Sequence, residues 1–137
     1  MVQVRVDPHS LVPPSLQLVA AVLDAIANGE LVSGDKLPAV RSMAEQALVN
    51  PNTVGKAWRE LEHLGVTEGR NGAGVFVTAG AADVAKAVRL AETLATLRTA
   101  VQQALRAGHE PAVLREVVLA IARGVVTGSG ERTGSKA

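Results

Sequence analysis

Cysteine is absent from the 137 residues, and aromatic side chains are nearly absent. Without cysteine the chain can form no disulfide, thiol nucleophile or thiolate metal site. One Phe, one Trp and no Tyr leave a core of Leu, Val, Ile and Ala. The same shortage argues against single-stranded nucleic acid as a partner, because proteins that bind it favour stacking bases on aromatic side chains.

Long apolar runs are missing too. No stretch approaches the roughly 20 apolar residues of a membrane-spanning helix. Residues 1–5 also lack the charged-then-apolar layout of a signal peptide. We therefore expect a cytoplasmic protein with no membrane partner.

Catalytic and metal-binding patterns are not found. His9, His63 and His109 lie in three different segments, with no carboxylate-rich cluster around them. Residues 72–74 contain two glycines but lack the strand-then-helix context of a nucleotide loop. We expect no enzyme activity, no cofactor and no metal.

Neither sign of charge dominates. Residues 1–78 carry six Lys and Arg against eight Asp and Glu, a net charge of −2, and residues 79–137 carry eight against five, a net charge of +3. A DNA-binding domain is usually basic on its contact face. The first part therefore suits DNA only if its cations cluster while its carboxylates lie elsewhere.

Residues 50–62 carry the strongest pattern in the chain. Asn50 is a favoured N-cap, and Pro51 suits the first helical position because its missing N–H has no helical partner there. A buried stripe then follows at three- and four-residue steps: Val54, Ala57, Trp58, Leu61 and Leu64. The outward face holds Asn52, Thr53, Lys56 and Arg59. A polar helix tip with basic residues behind it suits a DNA major groove, although an ordinary amphipathic helix has the same cap.

The flanking segments predict a winged helix-turn-helix. Val2, Val4 and Val6 alternate with polar residues in a short strand or extended arm, and Ser15 can cap a helix running to about residue 28. A loop over residues 31–37 leads to a second helix over residues 38–47, a short turn before the helix described above. A β-hairpin follows, with residues 66–68 and 75–78 as strands and an Asn-Gly turn at residues 71–72.

Two further helical patterns follow the hairpin. The first covers residues 81–107, the second begins at Pro111, and residues 127–137 have the composition of a disordered tail. Two helices cannot bury both apolar faces alone, so we expect a dimer interface. The dimerisation residues we predict are Leu90, Leu94, Leu97, Val101, Leu105, Leu114, Val118 and Ile121. The predicted fold is mainly α with a small β-hairpin: a DNA-binding domain (1–78), a helical dimerisation or effector module (79–126) and the tail.

In this arrangement the chain resembles the GntR family of transcription regulators. The matching segments are residues 6–17, 25–41, 50–65 and 72–77, so that the resemblance covers residues 4–78. The short helical remainder is similar to that of the YtrA subfamily, whose members are often local repressors that dimerise through this tail. The resemblance implies a dimeric, bacterial repressor that binds two half-sites of an operator, and it leaves open whether a small-molecule effector binds as well.

The DNA contacts we expect combine the resemblance with side-chain chemistry. The recognition helix, residues 51–64, would enter the major groove, and the wing, residues 66–78, would contact the flanking backbone or minor groove. The expected contact residues are Arg41, Asn50, Asn52, Thr53, Lys56, Arg59, Arg70 and Gly72. Alternative roles remain open: Arg41 can pair with Glu45, Asn50 can serve only as a cap, and Arg70 can belong to a plain hairpin.

Four positions depart from the family pattern. Ala39 replaces a frequent serine, Leu16 a frequent aromatic residue, and Leu48 a glycine or alanine at the turn, while Gly55 weakens the recognition helix. These departures leave the operator sequence and the rigidity of the recognition helix open. The acidic balance of residues 1–78 keeps a second hypothesis open. In it the chain is a dimeric protein-interaction adaptor whose winged helix no longer reads DNA.

Overall fold

Five helices and one antiparallel hairpin make up the part of the chain that the computed structural model describes, residues 2–124. The elements in order are α1 (Pro14–Ala27), α2 (Val40–Ala47), α3 (Pro51–His63), β1 (Thr67–Arg70), β2 (Gly74–Val77), α4 (Ala81–Arg106) and α5 (Pro111–Ala122). The predicted fold class, mainly α with a small hairpin, is confirmed. The chain forms two compact units, the first ending at Glu92 and the second beginning at Thr93. The predictions for residues 125–126 of the helical module and for the tail concern residues outside the described range.

Helix α1 begins two residues earlier than a Ser15 cap would place it. Pro14 occupies its first turn, the N-cap is Pro13 without a side-chain hydrogen bond, and Ser15 is buried inside the helix. The prediction of a Ser15 cap is therefore wrong. Leu16, in the first turn, is 50% exposed. The large apolar residues of α1 that are buried are Leu18, Val19, Val22, Leu23 and Ile26.

The N-terminal arm is extended but forms no strand. Val2 and Val4 are buried in the core and Val6 is partly buried, as the alternation predicted. The Gln17 side chain holds the loop that follows the arm. Its Oε1 accepts a hydrogen bond from the Asp7 N–H at 2.8 Å, and its Nε2 donates to the carbonyls of Asp7 and Val12.

Helices α2 and α3 form the predicted helix-turn-helix, with α2 starting two residues later than expected. Trp58 is a core residue, and its Nε1 donates to the Pro38 carbonyl at 3.1 Å, which connects α3 to the segment before α2. Leu48 ends α2 in the left-handed region (φ 58°, ψ 48°) with 89% of its surface exposed. The large side chain thus finds room in solvent, and the turn geometry is kept.

The hairpin differs from the sequence prediction in two ways: its turn is longer, and a further segment of the chain pairs with β2. Residues 71–73 separate the last pair, Arg70 and Gly74, so the connection is longer than the predicted two-residue turn. Residues 34–37, predicted only as a loop, run alongside β2. Their backbone bonds join the Leu37 N–H to the Val75 carbonyl and the Val77 N–H to the Asp35 carbonyl, both at 2.8 Å. The wing is therefore supported on both edges of β2.

The first turns of α4 belong to the first unit. Ala81 and Ala85 are buried there, and Arg89 forms ion pairs with Asp24 of α1 at 2.7 Å and with Glu92 at 3.0 Å. The hydrogen bond that Arg89 donates to the Asp24 carboxylate is the main cause that raises the pKa of the Arg89 guanidinium above its usual value.

The second unit leaves most of its apolar side chains in solvent. No residue of α5 is buried. The end of α4 and α5 form an apolar groove of about 320 Å³, with Val101, Leu105, Leu114 and Val118 among its walls. None of the helices in residues 2–124 is both long and apolar enough to cross a membrane.

Candidate nucleic-acid interface

The N-terminal turn of α3 has the predicted cap. The Asn50 Oδ1 accepts the Asn52 N–H at 2.7 Å, and the Asn50 carbonyl accepts the Thr53 N–H at 2.9 Å. Asn50 is exposed, and while its Oδ1 accepts the cap hydrogen bond, its amide N–H groups stay available to a ligand. Asn52 is exposed and Thr53 half-exposed one step further on. The cap therefore fixes the helix tip and leaves these two side chains facing outward.

Arg41 lies beside this helix tip. It is exposed on the first turn of α2, and with Glu45, Val49 and Pro51 it lines a shallow depression where α2 meets α3. No ion pair joins Arg41 to Glu45 or to any other residue within 2–124. The alternative role as an i, i+4 partner is thus not used here. A guanidinium with five N–H donors stands next to the polar turn of α3.

Two more cations line α3 behind its tip. Lys56 is exposed, and Arg59 folds back along the helix, so that its Nη1 lies 3.5 Å from the position that a Cβ on Gly55 would take. Glycine at this point costs up to about 1 kcal/mol of helix stability relative to alanine. Because Gly55 has no side chain, the Arg59 guanidinium can lie against the helix surface at Gly55. This position is one turn nearer the N-terminal end of α3 than the Arg59 Cα.

The side chain of the wing residue Arg70 contacts two other residues of the wing. Its guanidinium is 3.2 Å from the Glu68 carboxylate and lies over the Phe76 ring, 4.3 Å from the centroid. Gly72, at the tip, has φ of 74°, a conformation that favours glycine. The sequence did contain a signal for the Glu68 pair, because residues two apart on a strand share a face.

The predicted dimerisation residues share the surface of α4 and α5. Most of them are exposed in the single chain, and Val101 and Leu114 are half-buried. Among the described residues no group of three or more His, Asp or Glu forms a site for a metal ion.

Comparison with known proteins relates this geometry to one family. The family model described as bacterial regulatory proteins, gntR family, matches residues 14–77. The uncharacterized HTH-type transcriptional regulator YhcF of Bacillus subtilis is 45% identical over 65 residues, which are 47% of this chain and 54% of YhcF. The HTH-type transcriptional repressor YtrA of Bacillus subtilis is 37% identical over 78 residues, 57% of this chain and 60% of YtrA. The chain thus spans between half and two thirds of these two curated relatives.

The similarity to one solved structure covers nearly the full length of that protein. The structure of YtrA from Sulfolobus acidocaldarius, described as a GntR-family transcription factor, has 30% sequence identity to this chain and a TM-score of 0.55. The match covers 68% of this chain and 98% of that protein.

Proposed function

This chain belongs to the GntR family of bacterial transcription regulators, and from that premise we propose that it is a dimeric repressor that occupies an operator. The observation that carries the proposal is the juxtaposition at one end of α3. There a capped turn presents Asn52 and Thr53, and Arg41 lies beside it without an ion pair to any described residue. A rigid polar tip flanked by an available cation is what major-groove reading requires.

Each side chain at the tip has a defined chemical role in this proposal. Asn52 can form two hydrogen bonds with an adenine edge, and Thr53 can contact a phosphate or a thymine methyl group. Arg41 would bind a guanine or a phosphate, and the amide of Asn50 a nearby acceptor. Lys56 and Arg59 would contact phosphates and add affinity without sequence preference.

The wing has a smaller role than the helix tip. Gly72 allows the tip to approach the DNA backbone or minor groove closely. Arg70 must exchange its Glu68 partner for DNA before it can contribute. An exposed pair of this kind is worth about 0.2–1 kcal/mol, so the exchange is inexpensive.

The second unit supports a homodimer. Leu94, Leu97, Leu105 and Ile121 of this unit, and Leu90 just before it in sequence, are all more than 40% exposed in the single chain. Burying such a set against a second copy is favourable by about 25 cal/mol per Å² of apolar surface. A dimer would place two recognition helices on half-sites about one turn apart. Repression is proposed because the Bacillus subtilis relative YtrA is named a repressor.

The DNA contact is tested with Arg41→Met and a matched control, Arg106→Met, on the last turn of α4. We expect the first variant to lose tenfold or more in affinity for a duplex from the region upstream of its own gene, because a good base contact is worth about 1–3 kcal/mol. The control should bind like the wild type. Equal affinity for all three proteins would favour the adaptor hypothesis, which the net charge of −2 over residues 1–78 motivates.

The dimer is tested by sedimentation velocity on Leu97→Glu, with Gln103→Glu as the control at an exposed polar position of the same helix. We expect the first variant to sediment as a monomer and the control as a dimer. A wild-type protein that sediments as a monomer at every concentration used would contradict this part of the proposal.

A further inference from the structure

Lys36 is a cation that sequence reasoning left out of the interface, and the structure places it on the wing. Its backbone forms a bridge with Phe76 of β2, and the hydrogen bond from the Leu37 N–H to the Val75 carbonyl fixes the next residue. Lys36 thus stands on the outer edge of β2, across from β1. It lies on the same small sheet as the wing residues Arg70 and Phe76.

One face of this sheet holds the side chains of Lys36, Glu68 and Arg70. Glu68 is paired with Phe76, which in turn bridges to Lys36, and Arg70 is paired with Gly74. Cross-strand partners share a face, so these five residues form one surface, which we call the outer wing face. The opposite face carries Thr67 and Val77, both buried.

The Lys36 side chain extends along this face toward the hairpin tip. Its Cε lies 2.6 Å and its Nζ 3.4 Å from the position that a Cβ on Gly74 would take. Gly74 is two residues nearer the tip than Phe76, the backbone partner of Lys36. Only glycine leaves space for the lysine stem there without displacing it, and the φ of 118° at Gly74 also favours glycine. The glycine therefore provides a path for the lysine to the tip.

The two cations of the outer wing face differ in their availability. Arg70 is paired with Glu68, whereas Lys36 is exposed and forms no ion pair with any residue in the range 2–124. We propose that Lys36 is a phosphate-binding residue of the DNA interface, positioned by the Gly74 path beside the wing tip. This inference rests on the proposed DNA-binding function. With Lys36 included, the proposed interface holds five of the six Lys and Arg side chains in residues 1–78, and its carboxylates include Glu45 beside Arg41 and Glu68 paired with Arg70.

The test measures the salt dependence of binding for Lys36→Met, which keeps an apolar stem over Gly74 and removes the charge. Lys36→Arg restores the charge, and Lys86→Met on α4 is the matched control. The probes are the duplex from the upstream region and a scrambled duplex of equal length. Because a phosphate contact is independent of sequence, we expect Lys36→Met to weaken binding to both probes. The slope of log K against log salt should fall in magnitude by about 0.9.

The remaining variants separate the possible outcomes. Lys36→Arg and Lys86→Met should keep the wild-type slope, and circular dichroism should show that all variants are folded. A Lys36→Met slope equal to the wild-type slope, while Arg41→Met still loses affinity, would overturn the role of Lys36 and leave the DNA-binding function standing. A wild-type slope near zero on both probes would instead overturn the DNA-binding function, and the role of Lys36 with it.

Discussion

Leu48 offers a test of the backbone account that is independent of function. It is the one non-glycine residue with positive φ in residues 2–124, and its side chain is 89% exposed. Replacing it with glycine therefore removes strain and almost no packing. A left-handed conformation costs an L-residue about 1–2 kcal/mol. The greater freedom of glycine in the unfolded chain offsets about 0.5–1 kcal/mol of that gain.

The net expectation for Leu48→Gly is a stabilisation of about 0.5–1 kcal/mol, which raises Tm by about 2–6 °C for a chain of this size. Thermal unfolding followed by circular dichroism measures it, with urea unfolding as a check. Leu11→Gly is the matched control, since Leu11 is fully exposed (101%) and does not have positive φ. That control should be neutral or slightly destabilising. A Leu48→Gly protein no more stable than the wild type would refute the strain argument.

Three other substitutions test single contacts. Thr67→Val should stabilise the fold by about 1 kcal/mol in urea unfolding, because the Thr67 Oγ1 is buried without a hydrogen-bond partner; a loss of stability would mean that the hydroxyl has a partner. Glu68→Gln should raise DNA affinity about two- to fivefold at low salt by releasing Arg70 from its pair, and unchanged affinity would remove Arg70 from the interface. Asp24→Asn should lower the free energy of unfolding by about 0.5–1 kcal/mol, because the ion pair with Arg89 is lost. The loss should be smaller in high salt, and a loss that does not change with salt would contradict the ion-pair account.

The helix-turn-helix could be predicted from the sequence because its signals are local. The cap at Asn50, the proline after it and the stripe that includes Trp58 all lie within one helix, and each was confirmed. The prediction of a Ser15 cap was wrong because a serine near the start of a helix is a capping signal in the sequence, whereas α1 begins at Pro14 and includes Ser15. The burial of Ser15 depends on which face α1 turns to the core, and that is set by packing.

The wing was harder to predict because its geometry depends on residues distant in sequence. The pairing of residues 34–37 with β2 joins segments about 40 positions apart, and no local pattern marks it. Lys36 was overlooked for that reason: in the sequence it stands in a loop, and only the bridge to Phe76 places it on the wing. Arg70 was correctly assigned to the hairpin, but its pair with Glu68 was missed because the predicted strand ended at residue 68, whereas β1 continues to Arg70.

The DNA-binding claim is tested most directly by fluorescence-anisotropy binding of the full chain to the region upstream of its own gene, against a scrambled duplex, over a salt titration. The account predicts tighter binding to the upstream duplex and a steep fall of affinity with salt on both probes, because cations such as Arg41 and Lys56 would displace counterions from phosphates. No salt-dependent binding to either duplex, even at low salt, would contradict the account and favour the adaptor.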